Sequence, residues 1–182
     1  LLDEHKYGLV RITGLKEADV KALCMQTTGR QERADIAVYE TEESFVVSGT
    51  IDALEGIIEA VKKKKGVKAK ELEDGSGFHS PVMDDILKSV KMYLEKVDFK
   101  DTEIPFISGV IAEPLQTGET IRAALMQHIY APTQWAKVMQ SFSDCDVIIE
   151  IGPGQHLQSL LKQVYPDKKI YQVLTPQDIK KV

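Results

Sequence analysis

Cysteine is scarce in this chain of 182 residues, which holds only Cys24 and Cys145. The two share no C-x-x-C spacing, and no Cys/His cluster has the ligand spacing of a zinc site. A disulfide scaffold and a zinc-folded module are both excluded. The two thiols read as reduced, buried, small apolar residues of a reducing compartment, and the cytoplasm is the expected location. Basic excess is missing as well. The 23 Lys and Arg are outnumbered by 28 Asp and Glu, for a formal net charge of -5, so nucleic acid is not expected as a partner. No run of 18 apolar residues occurs and no signal-peptide pattern opens the chain, so no membrane partner is expected either. The histidines form neither H-x-x-x-H nor H-E-x-x-H, and no metal is expected. A G-x-S-x-G elbow for a nucleophilic serine is also absent.

What is present is the composition of an ordinary globular protein, 43% hydrophobic and 28% charged, long enough for one domain or one and a half. Leu1-Leu2-Asp3-Glu4-His5-Lys6 resembles the tail of a helix that began earlier. Residues 1–7 therefore read as a linker from a preceding segment.

Residues 8–74 form the first unit. Leu9–Thr13 predicts a strand ended by Gly14. Glu17–Thr27 predicts a helix, with Val20, Leu23 and Cys24 at helical spacing. Ile36–Tyr39 and Phe45–Val47 predict two strands in a hairpin across the polar link 40–44. Thr50 then caps a helix whose apolar face is Leu54, Ile57, Ile58 and Val61; Lys62–Lys65 close it and Gly66 stops it. Val67–Leu72 predicts a fourth strand. The order is βαββαβ, the ferredoxin-like pattern, which by itself carries no function. The lysine run suits a helix C-terminus, and the middle strands lack the stacking aromatics of an RNA-binding sheet.

Asp74-Gly75-Ser76-Gly77 reads as a joint, and 75–182 as the second unit. A helix over 81–97 carries Val82, Ile86, Val90, Tyr93 and Val97 on one stripe. A strand over 104–110, a helix over 118–127, a helix presenting Trp135, Val138, Met139 and Phe142, a buried-type strand over 146–151, a helix with Leu157, Leu160, Leu161 and Val164, and a strand over 169–174 follow. A last helix starts at Thr175-Pro176. Strands alternating with helices imply an α/β layer with parallel strands.

The candidate chemistry centres on Gly77-Phe78-His79-Ser80-Pro81. Ser80 reads as a helix N-cap and Pro81 as the first helical residue. That puts His79 on the lip of a helix N-terminus, whose dipole disfavours a charged ring; a neutral imidazole is a general base. Packing at a loop–helix junction is the competing reading. Gly152-Pro153-Gly154 turns a strand into a helix, the place where open α/β sheets bind ligands. It is no dinucleotide fingerprint, because Leu157 stands at the third glycine. Glu150, just before it, either orients a base or binds a main-chain donor, or else only caps a neighbouring loop. His128 and His156 sit near helix ends. The chain thus offers a base and no nucleophile.

Val46-Val47-Ser48-Gly49, Gly77-Phe78-His79-Ser80-Pro81-Val82-Met83, Pro132-Thr133-Gln134-Trp135 and Glu150-Ile151-Gly152-Pro153-Gly154-Gln155-His156-Leu157 come in this order. Over nearly the whole chain this resembles the malonyl-CoA:acyl carrier protein transacylases and related polyketide acyltransferase domains. The resemblance implies that the βαββαβ unit is a small subdomain set in an α/β-hydrolase-like core. It also implies a ping-pong transfer of malonyl from coenzyme A, through an acyl-serine, to the thiol of an acyl carrier protein in fatty acid or polyketide biosynthesis. His79 matches the catalytic histidine. Phe78 matches the position that favours malonyl over α-methyl units. His128 stands where the family has a glutamine whose backbone carbonyl orients the base. Gly152 and Gly154 belong to the substrate side, and coenzyme A enters as substrate, with no cofactor. Tyr39-Glu40-Thr41 departs from the family's asparagine-containing segment. The serine elbow and the carboxylate-binding arginine belong to the family's N-terminal part, so the chain reads as a C-terminal portion, inactive alone or completed by a separate N-terminal chain. In that case Ile148 and Phe106 would be exposed on an open sheet edge. An acyl hydrolase of the same fold and a scaffold that docks a carrier protein are the alternatives.

Overall fold

The computed structural model describes residues 6–72, 78–80 and 83–181. Their contacts divide the chain into two compact units, Leu1–Ala136 and Lys137–Val182. The protein is mixed α/β.

The first unit begins with strand β1 (Tyr7–Thr13), helix α1 (Glu17–Thr27), strands β2 (Ala34–Thr41) and β3 (Ser44–Thr50), helix α2 (Ile51–Lys62) and strand β4 (Lys68–Leu72). The strands form one antiparallel sheet in the order β2-β3-β1-β4. Alternation in β1 sends Val10 and Ile12 to one face, where Val20, Leu23, Phe45, Val47, Leu54, Ile57 and Val61 close a core. Thr50 stands at the N-cap of α2, as expected. Its hydroxyl makes no cap bond, however; it accepts from Arg33 N at 3.2 Å and ties β3 to the start of β2. Gly49 is dictated by close approach, since a Cβ there would lie 2.3 Å from the carbonyl oxygen of Arg33. Gly66 adopts φ +81° in the turn into β4.

The opposite face of this sheet is also covered. Val46 and Ser48 are buried there. So is Glu40, whose carboxylate takes a forked pair of bonds from Arg11 Nε and Nη2 at 2.9 Å and a third from Ser44 Oγ at 2.7 Å. The acid of the Tyr39-Glu40-Thr41 segment is thus paired within the sheet.

Helix α3 runs Asp84–Leu94, with Met83 at its N-cap, so it opens later than the Ser80–Pro81 start that the sequence suggests and closes before Val97. Pro81 and Val82, like the joint over 73–77, lie outside the described residues. Tyr93, expected on the buried stripe, is 70% exposed beneath the Lys96 ammonium. The strand expected over 104–110 shrinks to β5 (Phe106–Ile107), paired antiparallel with β6 (Pro114–Leu115). Pro105 and Pro114 each lack an N–H for a longer ladder. Helix α4 (Gly118–Gln127) starts where expected, with the Thr117 hydroxyl accepting from Thr120 N.

Helix α5 (Trp135–Gln140) leads into the second unit, where it buries Val138 and Met139. Strand β7 (Val147–Ile151), helix α6 (His156–Val164) and strand β8 (Lys169–Val173) make a parallel βαβ pair. The expected exposure of Ile148 is not found: it is 7% exposed, and its alternate neighbours Val147, Ile149 and Ile151 carry the open face instead. Phe106 is 37% exposed. A short 3-10 turn, Asp178–Lys181, replaces the last helix, and Asp178 Oδ2 accepts from Thr175 N and Oγ1.

Candidate active site

Two loops meet at His79, and the four-stranded sheet holds both. The first is 78–80. Ser80 is buried to 1% exposure, with its hydroxyl 3.4 Å from that of Ser48 on β3. The second follows α4. Thr133 pairs with the outer edge of β2: its N–H donates to Ala37 O at 2.8 Å, and Tyr39 N donates to Thr133 O at 2.9 Å. Gln134 N donates to Gly109 O at 2.6 Å.

Between these anchors His79 adopts φ +57°. This left-handed conformation costs an L-residue about 1–2 kcal/mol, and such outliers persist where the surroundings over-determine them. Here a side-chain bond helps. His79 Nδ1 donates to the backbone carbonyl of His128 at 2.8 Å. A carbonyl only accepts, so Nδ1 carries a proton, and in the neutral ring the lone pair is on Nε2. The two imidazoles stack with centroids 4.8 Å apart and planes 24° apart. His128 Nε2 lies 3.3 Å from Thr133 Oγ1. The helix start at Ser80–Pro81 on which the dipole argument rests involves residues 81 and 82, which lie outside the described residues.

His79 forms part of the wall of a cavity of about 810 Å³, together with Cys24, Met25, Ile36, Tyr39 and Pro132. The lining is mostly apolar, with Lys21 and Asp35 among its few charged groups, and its size suits an organic ligand. Phe78 is 45% exposed and is not in that wall. Among the described residues, no three His, Cys, Asp or Glu side chains converge in a way that would hold a metal ion. No helix among them is long and apolar enough to cross a membrane.

Gly152 and Gly154 belong to the second unit. They take φ +138° and +90°, with open space where a Cβ would stand. Gln172 Nε2 donates to both of their carbonyls. Glu150 Oε2 accepts from Gln158 N at 3.2 Å, which makes it a cap for α6. Of the readings of that acid, binding a main-chain donor is the one this bond matches. His156 is exposed in the first turn of α6.

Sequence reading missed how Ser48, Gly109 and Thr133 serve the site. Ser48 and Thr133 lie inside the motifs that carry the resemblance, and Gly109 near the end of the strand expected over 104–110, with no local signal that gives any of them a role. A Cβ on Gly109 would touch the His128 ring at 3.4 Å.

Two outcomes follow from the titratable groups. Burial, and then Asp35 beside it, push the Cys24 thiol up to about 12. In the native protein iodoacetamide should therefore alkylate exposed Cys145 and spare Cys24, as read by peptide mass; equal labelling would contradict the burial. His128 is held below its ordinary 6.5, first by burial and then by His79. Unfolding restores the ordinary value. Below about 6.5 the unfolded chain then binds more protons than the folded one, and this group's contribution to stability falls as pH falls. Urea unfolding at roughly pH 7 and pH 5 should show a smaller acid loss in His128→Gln than in the wild type. Identical losses would contradict it.

The model of the acyl transferase domain family matches residues 12–178, and the chain belongs to that family. It is 27% identical over 174 residues to the malonyl CoA-acyl carrier protein transacylase of Bacillus subtilis (strain 168), covering 94% of this chain and 55% of that protein. Among solved structures it resembles FabD from Acinetobacter baumannii, with a TM-score of 0.89 and 23% identity over 99% of this chain and 58% of that one. A malonyl-transacylase solved in complex with its type II PKS acyl-carrier protein has a TM-score of 0.88 at 22% identity, over 99% and 59% of the two chains. At these identities the solved structures share the fold. The chain spans little more than half the length of each relative.

Proposed function

We propose that this protein transfers a malonyl group from malonyl-CoA to an acyl carrier protein, in fatty acid or polyketide biosynthesis, through an acyl-serine whose serine lies outside residues 1–182. The observation that carries the reading is the bond from His79 Nδ1 to the His128 carbonyl, which leaves Nε2 as the basic nitrogen. In this reading Nε2 takes the serine proton as Oγ attacks the thioester carbonyl. The tetrahedral intermediate collapses, coenzyme A leaves as its thiol with that proton, and the acyl-serine remains. The carrier protein's thiol then gives its proton to Nε2, attacks the acyl-serine, and serine regains the proton. Coenzyme A is a substrate, and no cofactor is assigned.

Residues 8–74 are read as a ferredoxin-like subdomain, in keeping with the strand order β2-β3-β1-β4. Residues 75–182 are read as the C-terminal part of an α/β-hydrolase-like core, and 1–7 as a linker from what precedes. A separate N-terminal chain is one way the serine would be supplied. Phe78 would narrow the acyl site against α-substituents, and Gly152 and Gly154 would let backbone approach substrate. The cytoplasm is the compartment assigned, and two unpaired cysteines agree with it.

The test incubates the protein at its natural length with malonyl-CoA and a carrier protein bearing its phosphopantetheine arm. Malonyl on that arm, with free coenzyme A released, is the expected result. Free malonate in place of the carrier adduct would overturn transfer in favour of hydrolysis, and no turnover at all would leave a docking role.

A further inference from the structure

The role assigned above to residue 128 uses only its backbone carbonyl, which any amino acid would supply. Yet the side chain at this position is an imidazole placed with care. Its ring lies 4.8 Å from that of His79, centroid to centroid, with the planes only 24° apart. Its Nε2 is within 3.3 Å of Thr133 Oγ1. Thr133 is itself fixed by two backbone bonds to the edge of β2. On one side the ring faces Gly109, where a Cβ would stand in ordinary contact with it, 3.4 Å from Nε2 and 3.5 Å from Cε1. Gly109 in turn accepts the N–H of Gln134. Sheet edge, threonine, imidazole and the base's imidazole thus form one continuous contact.

We propose that the His128 side chain is a positioning residue for His79: held by Thr133, its ring fixes the plane of the His79 imidazole so that Nδ1 stays on the carbonyl and, in the neutral ring, Nε2 carries the lone pair. A single hydrogen bond sets a distance but leaves the acceptor free to be approached from a wide range of ring rotations. A flat contact removes that rotation, because swinging the His79 ring out of the carbonyl direction would break the stack. His79 needs such a restraint. It stands on a left-handed backbone, partly buried, in the wall of an open cavity. The chain's departure from the glutamine that the resemblance puts at 128 then has a physical consequence: the carbonyl is kept and a rigid aromatic restraint is added. That this orientation serves acyl transfer rests on the function proposed above; the restraint itself does not.

The test reads the tautomer of His79 directly. Long-range ¹H–¹⁵N spectra of the neutral imidazoles distinguish Nδ1–H from Nε2–H, and a histidine free in solution favours the latter. Wild type is expected to show His79 as the Nδ1–H form. In His128→Ala, which keeps the carbonyl and loses the ring, at least half of that population should shift to Nε2–H. His128→Phe, which restores a flat ring without the bond to Thr133, should recover much of the wild-type tautomer. Thr133→Val, which keeps the backbone pairing and removes the clamp, should give a partial shift. A folded His128→Ala protein with the wild-type tautomer would overturn the proposal. If that variant does not fold, an unchanged His79 signal in Thr133→Val overturns it instead. No substrate enters these spectra. Failure of malonyl transfer alongside the expected shifts would sink the transferase reading alone, and unchanged tautomers alongside active transfer would sink this one alone.

Discussion

Alanine in place of His79 should slow malonyl loading by about 10²–10⁴-fold, the usual worth of a general base. The loss should fall on kcat with KM little altered, since the group removed acts on a proton rather than on binding. The measurement is the burst of coenzyme A release from malonyl-CoA by the protein at its natural length, with far-UV circular dichroism to show that the fold is retained. His79 is the group expected to give this effect because its Nδ1 is already committed to the His128 carbonyl. Only Nε2 is left for chemistry, and alanine supplies nothing in its place. A loss below about tenfold would put the base elsewhere.

The largest effect on stability is expected from Phe45→Ala. Phe45 is 2% exposed and sits in the core between the sheet and its two helices. Truncating a buried aromatic costs about 3–5 kcal/mol, through lost transfer energy and the cavity left behind. The edge-to-face contact with Tyr39, at 5.7 Å and 81°, is lost with it. Tyr39 also lines the cavity beside His79, so the variant should weaken function as well as fold. The urea midpoint measures the change, and a loss below about 1 kcal/mol would contradict the packing described.

The elements with strong local signals were legible in the sequence. Glu17–Thr27 and Gly118–Gln127 are helices over the expected residues, and for the first the apolar spacing of Val20, Leu23 and Cys24 carries the signal. The βαββαβ order follows from period-2 strands and one short hairpin link. Reading failed where partners rather than local pattern decide. Phe106–Ile107 is short because its ladder depends on a proline-containing neighbour. Tyr93 fits the spacing of an apolar stripe yet lies in solvent. Ile148 and Ile149 look alike in a row of apolar residues, and only the packing of the folded chain buries one and leaves the other open. At the site, His79 was legible from its motif. The stack with His128, the Thr133 clamp and the left-handed backbone were not, since each depends on residues 49 or 5 positions apart meeting in space.

The central claim is that His79, held by the residue-128 loop, is the base of an acyl transfer. Intact-mass spectra of the protein at its natural length, with and without malonyl-CoA, test it most directly. The account predicts a gain of one malonyl group by the wild-type protein and none over the same interval by His79→Ala. No gain in the wild type, or an equally fast gain in the variant, would contradict it.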